Sequence, residues 1–204
     1  GSAVVASGQE GWDFVRHLQT GRYIDPTTPP PHQSLAYHRI YLRTKPTQLF
    51  DYIIYRNSVN FQTSSIPDNA LIESAQLSFW PAQAGAYINT HPNSNDFLTL
   101  VRTTLHNPPL LTVEDFGQFD SVDNPTELSN RFDISQQFNL GEQIVFPLNQ
   151  AGLQNINKTG FSEFGLRAGY DLATTPNSGE NTELQVFLWS GNSAFFKPTL
   201  TINY

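Results

Sequence analysis

Residues 36–44 read Ala-Tyr-His-Arg-Ile-Tyr-Leu-Arg-Thr, and the alternation in this stretch decides the fold class. Successive side chains of a β-strand point to opposite faces, so residues two apart share a face. One face of this segment carries two tyrosines and two arginines: Tyr37, Arg39, Tyr41 and Arg43. The other face carries Ile40 and Leu42 and suits a protein core. We therefore predict a β-strand with a core side and a polar, aromatic side.

The same two-residue period recurs along most of the chain. The 15 Phe and eight Tyr residues suit pleated, half-buried strands better than helices. Turn-forming Pro, Gly and Asn residues separate the segments. Eight further strands are predicted, at 12–18, 50–61, 71–80, 97–105, 143–148, 161–168, 184–189 and 199–204. The pattern predicts an all-β fold, an antiparallel two-sheet sandwich of jelly-roll type.

The chain length of 204 residues fits one such domain, and we predict a single jelly-roll domain over 1–204. Gly1-Ser2 is interpreted as a cloning remnant. Residues 25–34 are rich in proline, which excludes a helix or a central strand, so they are predicted to form a loop. One segment breaks the strand pattern: 149–156 has helical spacing, and Asn149 is a suitable N-cap. We predict one short helix there.

Composition narrows the function classes. The chain has no Cys, which excludes thiol catalysis and Cys-ligated metal sites. Its net charge is −7 at pH 7, and a nucleic acid would be repelled by most of its surface. No apolar run approaches the 18 residues of a transmembrane helix, so membrane insertion is not expected. Only 14% of residues are charged, and the neutral polar surface this implies is common in extracellular β modules.

Three stretches resemble a known family. Residues 61–79 read FQTSSIPDNALIESAQLSF, residues 146–153 read FPLNQAGL and residues 158–167 read KTGFSEFGLR. Together with the closing KPTLTINY at 197–204, they resemble DNRLRE-type domains, which are related to disaggregatase repeats and to some polysaccharide-binding modules. The similarity covers about residues 55–204 and leaves the N-terminal stretch uncovered. Arg56 stands where the family has an arginine just before the F-T-S-S turn, but Asn57 to Asn60 depart from its pattern.

The resemblance implies a β jelly roll in a secreted or cell-surface protein, commonly attached to a larger multidomain protein. In some members it implies carbohydrate binding. Since a fold does not fix a function, the ligand has to be argued from side chains.

The tyrosine and arginine face of 36–44 is the first candidate for a glycan site. Aromatic rings stack on the C–H faces of sugar rings, and an arginine fork binds carboxylates bidentately. Trp80, at a predicted strand end, and Tyr87, in a predicted Gly- and Ala-rich loop, are further candidates for stacking. The alternative interpretation is an ordinary sheet face on which Tyr and Arg pack as cross-strand neighbours.

An acidic stretch suggests a structural calcium ion. Five carboxylates fall within 114–127, and Asp120, Asp123 and Glu127 are the candidate ligands. Calcium prefers carboxylate and carbonyl oxygens in flexible geometry. The spacing is not that of an EF-hand loop, and a solvated acidic loop is the alternative. No other cofactor is predicted.

Catalytic motifs are missing from the sequence: it contains no phosphate-binding Gly-rich loop, no H-E-x-x-H and no G-x-S-x-G. The leading hypothesis is therefore a non-catalytic, extracellular carbohydrate-binding module with a polysaccharide or glycan as its partner. The alternative is a structural or adhesive module of a surface stalk, a surface layer or a phage fibre.

Overall fold

A computed structural model describes residues 16–20, 37–44, 52–54, 56–82, 87–88, 95–107, 113–134, 139–174, 183–189 and 194–204. For 37–44, 52–53, 87–88, 113, 183–185, 187 and 189, the description is of the backbone alone. The predicted loop at 25–34 and Trp12 lie outside the described residues.

The described chain is mostly β-strand. The strands are β1 Tyr37–Thr44, β2 Tyr52–Ile54, β3 Asn57–Gln62, β4 Ser74–Phe79, β5 Tyr87–Ile88, β6 Phe97–Val101, β7 Phe132–Asp133, β8 Ile144–Pro147, β9 Phe161–Ala168, β10 Glu183–Trp189 and β11 Thr199–Asn203. Besides Arg16 and His17, which are helical, the helical elements of the described residues are a 3₁₀ helix at Val113–Gln118 and the short helices α1, Gln150–Gln154, and α2, Gly169–Leu172.

Within the described ranges, the strand pairs are all antiparallel, and they form three hydrogen-bonded groups. Their orders are β2-β1-β10-β5, β11-β4-β8 and β3-β9-β6-β7. An isolated bridge between Pro81 and Leu188 connects the first group to the segment that follows β4. Strands β2 and β3 lie close together in sequence, on either side of Arg56, and so the chain passes there from the first group to the third.

One apolar core takes residues from all three groups. Val186 and Leu188 come from the first group, Leu77 and Phe146 from the second, and Phe164 from the third, and each is completely buried. Edge-to-face contacts between aromatic rings support this packing, since Phe79 and Phe146 lie 5.9 Å apart at 89°. The predicted all-β antiparallel sandwich is confirmed.

Most of the predicted strands are present in the structure with small changes at their ends, and the predicted strand at 161–168 is confirmed in full. The predicted strand at 12–18 is wrong over Arg16–Leu18, because Arg16 and His17 are helical and Leu18 is in no strand. The predicted strand at 50–61 is interrupted, since Arg56 lies between β2 and β3 and its side chain is buried among charged and polar partners. Both exceptions place a buried arginine where alternation predicted regular pairing.

The predicted short helix is confirmed as α1. Asn149 is its N-cap, with an extended backbone and a side-chain oxygen that accepts a hydrogen bond from the amide of Gly152, at 3.0 Å. Gly152 lies against the backbone of Leu128, where an added Cβ would stand 2.1 Å from the carbonyl oxygen. The short helix therefore depends on a glycine for its close approach to the 127–129 segment. None of the helices in the described ranges has the length and hydropathy needed to cross a membrane.

Candidate functional site

The register of β1, β10 and β5 brings the predicted glycan-binding residues onto one face of a sheet. Tyr37 is paired with Trp189, Arg39 with Phe187, Tyr41 with Gln185, and Arg43 with Glu183. Gln185 is also paired with Tyr87 of β5. Because directly paired residues share a face, these nine residues occupy one surface of the sheet, here called the aromatic–arginine face.

The other face of the same sheet packs on the core. It holds Val186 and Leu188, which are completely buried, and Ile54, which is 2% exposed. The register pairs Ile40 with Val186 and Leu42 with Ile54. Since the residues of the aromatic–arginine face alternate with these buried ones, they lie on the side of the sheet away from the core.

Trp80 lies next to the aromatic–arginine face, because the following residue, Pro81, forms a β-bridge to β10. Pro81 is buried and paired with Leu188, a residue of the core side. Extending the register by one residue places Trp80 level with Trp189 and Tyr37, on the aromatic–arginine face. The half-buried Trp80 ring contacts Phe196 edge to face, with centroids 5.6 Å apart, and Phe196 is 41% exposed.

The sequence suggested separate candidates, and the strand pairing brings them together. Tyr87 was predicted in a loop, and this prediction is wrong, because Tyr87 and Ile88 form a short strand on β10. The contributions of Phe187, Gln185 and Glu183 were not predicted from the sequence. A strand at 184–189 was predicted, but its partner, and so the face that these residues share with Tyr41, depends on long-range pairing.

The three predicted calcium ligands each have a different partner. Asp120, in a left-handed conformation with φ 59°, accepts hydrogen bonds from the backbone amides of Ser121 and Thr126. Asp123 accepts a hydrogen bond from the buried guanidinium of Arg16, at 2.6 Å. Glu127 forms an ion pair with Arg131. In the ranges that the structure describes, no three metal-binding side chains form a group. The calcium site stays a prediction.

Glu127 forms a two-pronged ion pair with Arg131. The Nη2 and Nε atoms of Arg131 donate to its two oxygens at 2.7 and 3.0 Å, and the Thr99 hydroxyl donates to it at 2.8 Å. Burial raises the pKa of Glu127, but the hydrogen bonds from Arg131 and Thr99 and the charge of Arg131 outweigh it and lower the pKa overall. The carboxylate is thus ionised and neutralised by the chain itself.

A buried ionic cluster, which the sequence analysis missed, lies around Asp171. It consists of Arg16, Arg56, Arg167 and Asp171, each at most 2% exposed. Arg56 donates two hydrogen bonds to the Asp171 carboxylate, from Nε to Oδ2 at 2.7 Å and from Nη2 to Oδ1 at 2.8 Å. Arg167 donates to Oδ2 at 2.6 Å, and Arg16 donates to the backbone carbonyl of Asp171 at 3.0 Å. We call this set the Asp171 cluster.

The remaining donors of Arg56 and Arg167 bind backbone carbonyls, whereas Nη2 of Arg16 donates to the carboxylate of Asp123, at 2.6 Å. Arg56 donates to the carbonyls of Phe116 and Arg16, at 2.9 and 3.0 Å. Arg167 donates to Ser121 and Val122, at 2.9 and 3.0 Å. The guanidinium of Arg56 also lies over the ring of Phe116, 4.4 Å from its centroid. The cluster thereby holds the 116–122 segment against β9 and α2, and its role is structural.

Burial alone raises the pKa of Asp171, but the charges of Arg167 and Arg56, with the hydrogen bonds that both donate, lower the pKa well below its ordinary value. Burial also lowers the pKa of Arg167, and the nearby charge of Asp171 offsets part of that effect. Both partners stay charged at neutral pH. Removal of one partner from a buried ion pair of this kind strongly destabilises a fold, because the charge of the other partner stays buried without a counter-charge.

A histidine–aspartate pair lies outside the Asp171 cluster and the Glu127–Arg131 ion pair. The Asp115 side chain is fully buried, and its Oδ1 is 2.8 Å from Nδ1 of His106 and 2.8 Å from the His106 backbone nitrogen. The His106 imidazole is 55% exposed. The buried carboxylate therefore fixes the orientation of an exposed ring.

Comparison with known proteins adds no assignment. No protein-family model matches the chain, and no curated protein matches it. The resemblance to DNRLRE-type domains therefore stays a prediction from the sequence.

Proposed function

We propose that this chain is a non-catalytic carbohydrate-binding module of a secreted or cell-surface protein, and that it binds a polysaccharide across the aromatic–arginine face. The observation that carries the proposal is the register of β1, β10 and β5, which collects five aromatic residues and two arginines on one face. The aromatic residues are Tyr37, Tyr41, Tyr87, Phe187 and Trp189.

The dimensions of the face suit an extended ligand. From Tyr37 to Arg43 it measures about 20 Å, at roughly 3.4 Å per residue, and neighbouring strands are about 4.8 Å apart. A polysaccharide chain could therefore contact several aromatic residues at once. Each contact would be weak, and the affinity would come from stacking with a few hydrogen bonds of fixed geometry.

The chemistry of the face includes polar groups between the aromatic ones. Arg39 occupies a position between Tyr37 and Tyr41, and Gln185 lies between Tyr41 and Tyr87 in the register. Guanidinium and amide groups bind sugar hydroxyls and carboxylates directionally, and so would select among polysaccharides that all stack on the rings. The core-packed opposite face supports a rigid platform, which reduces the ordering cost of binding.

Affinity electrophoresis in gels that contain neutral or acidic polysaccharides tests this proposal. We expect retardation in at least one polysaccharide, and the Tyr41→Ala variant should lose it. Tyr204→Ala is the matched control. Tyr204 is an exposed tyrosine, with 59% of its surface open to solvent, and it follows directly after β11, which belongs to a different strand group from this face. Equal mobility in every gel would overturn the proposal. Turnover of any polysaccharide by the domain would overturn its non-catalytic part.

A further inference from the structure

A shallow cleft, lined mainly by residues with polar side chains, lies apart from the aromatic–arginine face, where the turn after α1 meets the turn that follows β3. Its volume is about 610 Å³, within the range of small-molecule sites. Eight residues line it: Asp68, Arg102, Gln154, Asn155, Ile156, Asn157, Lys158 and Thr159. Seven of these have a polar or charged side chain, and three of the seven are primary amides.

One wall of the cleft is fixed by internal hydrogen bonds. The ammonium group of Lys158 donates to the backbone carbonyls of Asp68 and Ala70, which fastens the two turns together. The amide of Asn155 donates to the carbonyl of Glu163, at 2.7 Å. The side-chain oxygen of Asn157 accepts hydrogen bonds from the backbone amide and the hydroxyl of Thr159, both at 2.9 Å. This wall is therefore preorganised before any ligand arrives.

The other groups of the cleft retain bonding capacity. The side chains of Arg102, Gln154 and Asp68 are exposed, and none makes a side-chain hydrogen bond within the described part of the chain. Together they offer a planar fork of donors, an amide that both donates and accepts, and an acceptor carboxylate.

The charges in and near the cleft balance. Arg102 and Lys158 are positive, Asp68 is negative, and Asp120 is close enough to Arg102 to interact with it electrostatically. A site for an anion would carry an excess of positive charge. Neighbouring donors and acceptors of balanced charge match vicinal hydroxyls instead, because each hydroxyl donates one hydrogen bond and accepts others.

We infer that this cleft is a second binding site, specific for a neutral, hydroxyl-rich saccharide unit, an inference that rests on the proposed carbohydrate-binding function. It would hold a branch or a chain end, whereas the aromatic–arginine face takes an extended chain. The ligand would be recognised by hydrogen bonds to Arg102, Gln154 and Asp68, with no aromatic ring among the residues that line the cleft.

Backbone amide chemical shifts of the ¹⁵N-labelled domain test this inference, with cellohexaose and mannohexaose as neutral probes and oligogalacturonate as the acidic probe. We expect a neutral probe to shift the amides of 154–159. The double variant Arg102→Ala/Gln154→Ala should weaken that response about tenfold, since it removes one charged and one neutral hydrogen-bonding group. The amides of β10 report on the other site and should respond as in the unaltered protein.

Gln76→Ala is the matched control, because Gln76 is an exposed amide on β4 outside the cleft. Shifts in β10 without shifts in 154–159 would overturn this inference and leave the proposed function standing. A response of 154–159 to oligogalacturonate alone would overturn the assignment to neutral sugars. Silence of both regions with every probe would count against both proposals. A spectrum of the double variant that matches the unaltered protein shows that the variant folds.

Discussion

Asp171 and Arg56 are 115 residues apart in sequence, and they form a buried two-pronged ion pair with bonds of 2.7 and 2.8 Å. Both side chains are almost fully excluded from solvent. The pair belongs to a cluster of three buried arginines and one buried carboxylate, and Asp171 is the counter-charge of Arg56 and Arg167, whereas Arg16 also pairs with the exposed carboxylate of Asp123.

Replacing Asp171 by Asn should lower the free energy of unfolding by about 3–5 kcal/mol, because buried guanidinium groups lose their counter-charge. Urea denaturation measures the change. Glu142→Gln, an exposed acid-to-amide change, is the control and should be within about 0.5 kcal/mol of the unaltered protein. Equal stability of the two variants would show that the cluster does not stabilise the fold.

The same carboxylate should contribute to acid sensitivity. The pKa of Asp171 in the folded protein lies below its ordinary value of 3.8, so its stabilisation is complete above that pH and is lost as the pH falls below it. Unfolding free energies measured from pH 6 down to pH 2.5 should therefore decline less steeply below about pH 4 for Asp171→Asn than for the unaltered protein. Parallel curves would contradict this.

Gly152→Ala should destabilise the domain although alanine favours helices. The new Cβ would stand 2.1 Å from the carbonyl oxygen of Leu128, so the 127–129 segment or α1 must move. We expect a loss of about 1–3 kcal/mol, as for other overpacked sites, measured by thermal unfolding. Gln154→Ala, at an exposed position of the same helix, should be neutral. A stabilised Gly152→Ala variant would mean that this close approach is absent.

On the aromatic–arginine face, Arg39→Ala and Arg39→Lys should separate the role of charge from that of geometry. If the guanidinium fork selects the polysaccharide, Arg39→Lys should lose about as much affinity as Arg39→Ala, since a lysine cannot make the paired bonds. Isothermal titration with the polysaccharide that retards the domain measures this. Full affinity in both variants would remove Arg39 from the site.

Chelation tests the calcium prediction. Asp120, Asp123 and Glu127 already have partners in the chain, in Ser121, Arg16 and Arg131. The alternative interpretation, a solvated acidic loop, therefore predicts the same melting temperature in EDTA and in millimolar Ca²⁺. A bound ion at 100 times its Kd would stabilise the fold by about 2.7 kcal/mol, and an increase on adding calcium would thus establish the site.

Local sequence patterns predicted those parts of the fold that depend on neighbouring residues. The alternation at 161–168 marked β9, and Asn149 marked the start of α1 because a cap acts within one turn. The face that joins Tyr41 to Tyr87 was not predictable in the same way, since two residues of different strands meet only through β10.

The Asp171 cluster was missed because a charged residue in a strand is normally assigned to the solvent face. One signal was available in the sequence. Arg167 stands within the run Phe164 to Leu172, where apolar and small residues leave little polar surface, and Asp171 follows four residues later. An arginine in such a run requires a buried acid, although its further partners, 45 or more residues away, could not be identified from the pattern.

The separation between Arg16 and the Asp171 carbonyl, 155 residues, has a consequence for synthesis on the ribosome. The bond cannot form until Asp171 has emerged, and β11 must then still reach β4. Until that moment the nascent domain exposes open strand edges and unpaired guanidinium groups. Its folding should therefore be slow, because the contacts that complete the fold join residues far apart in sequence.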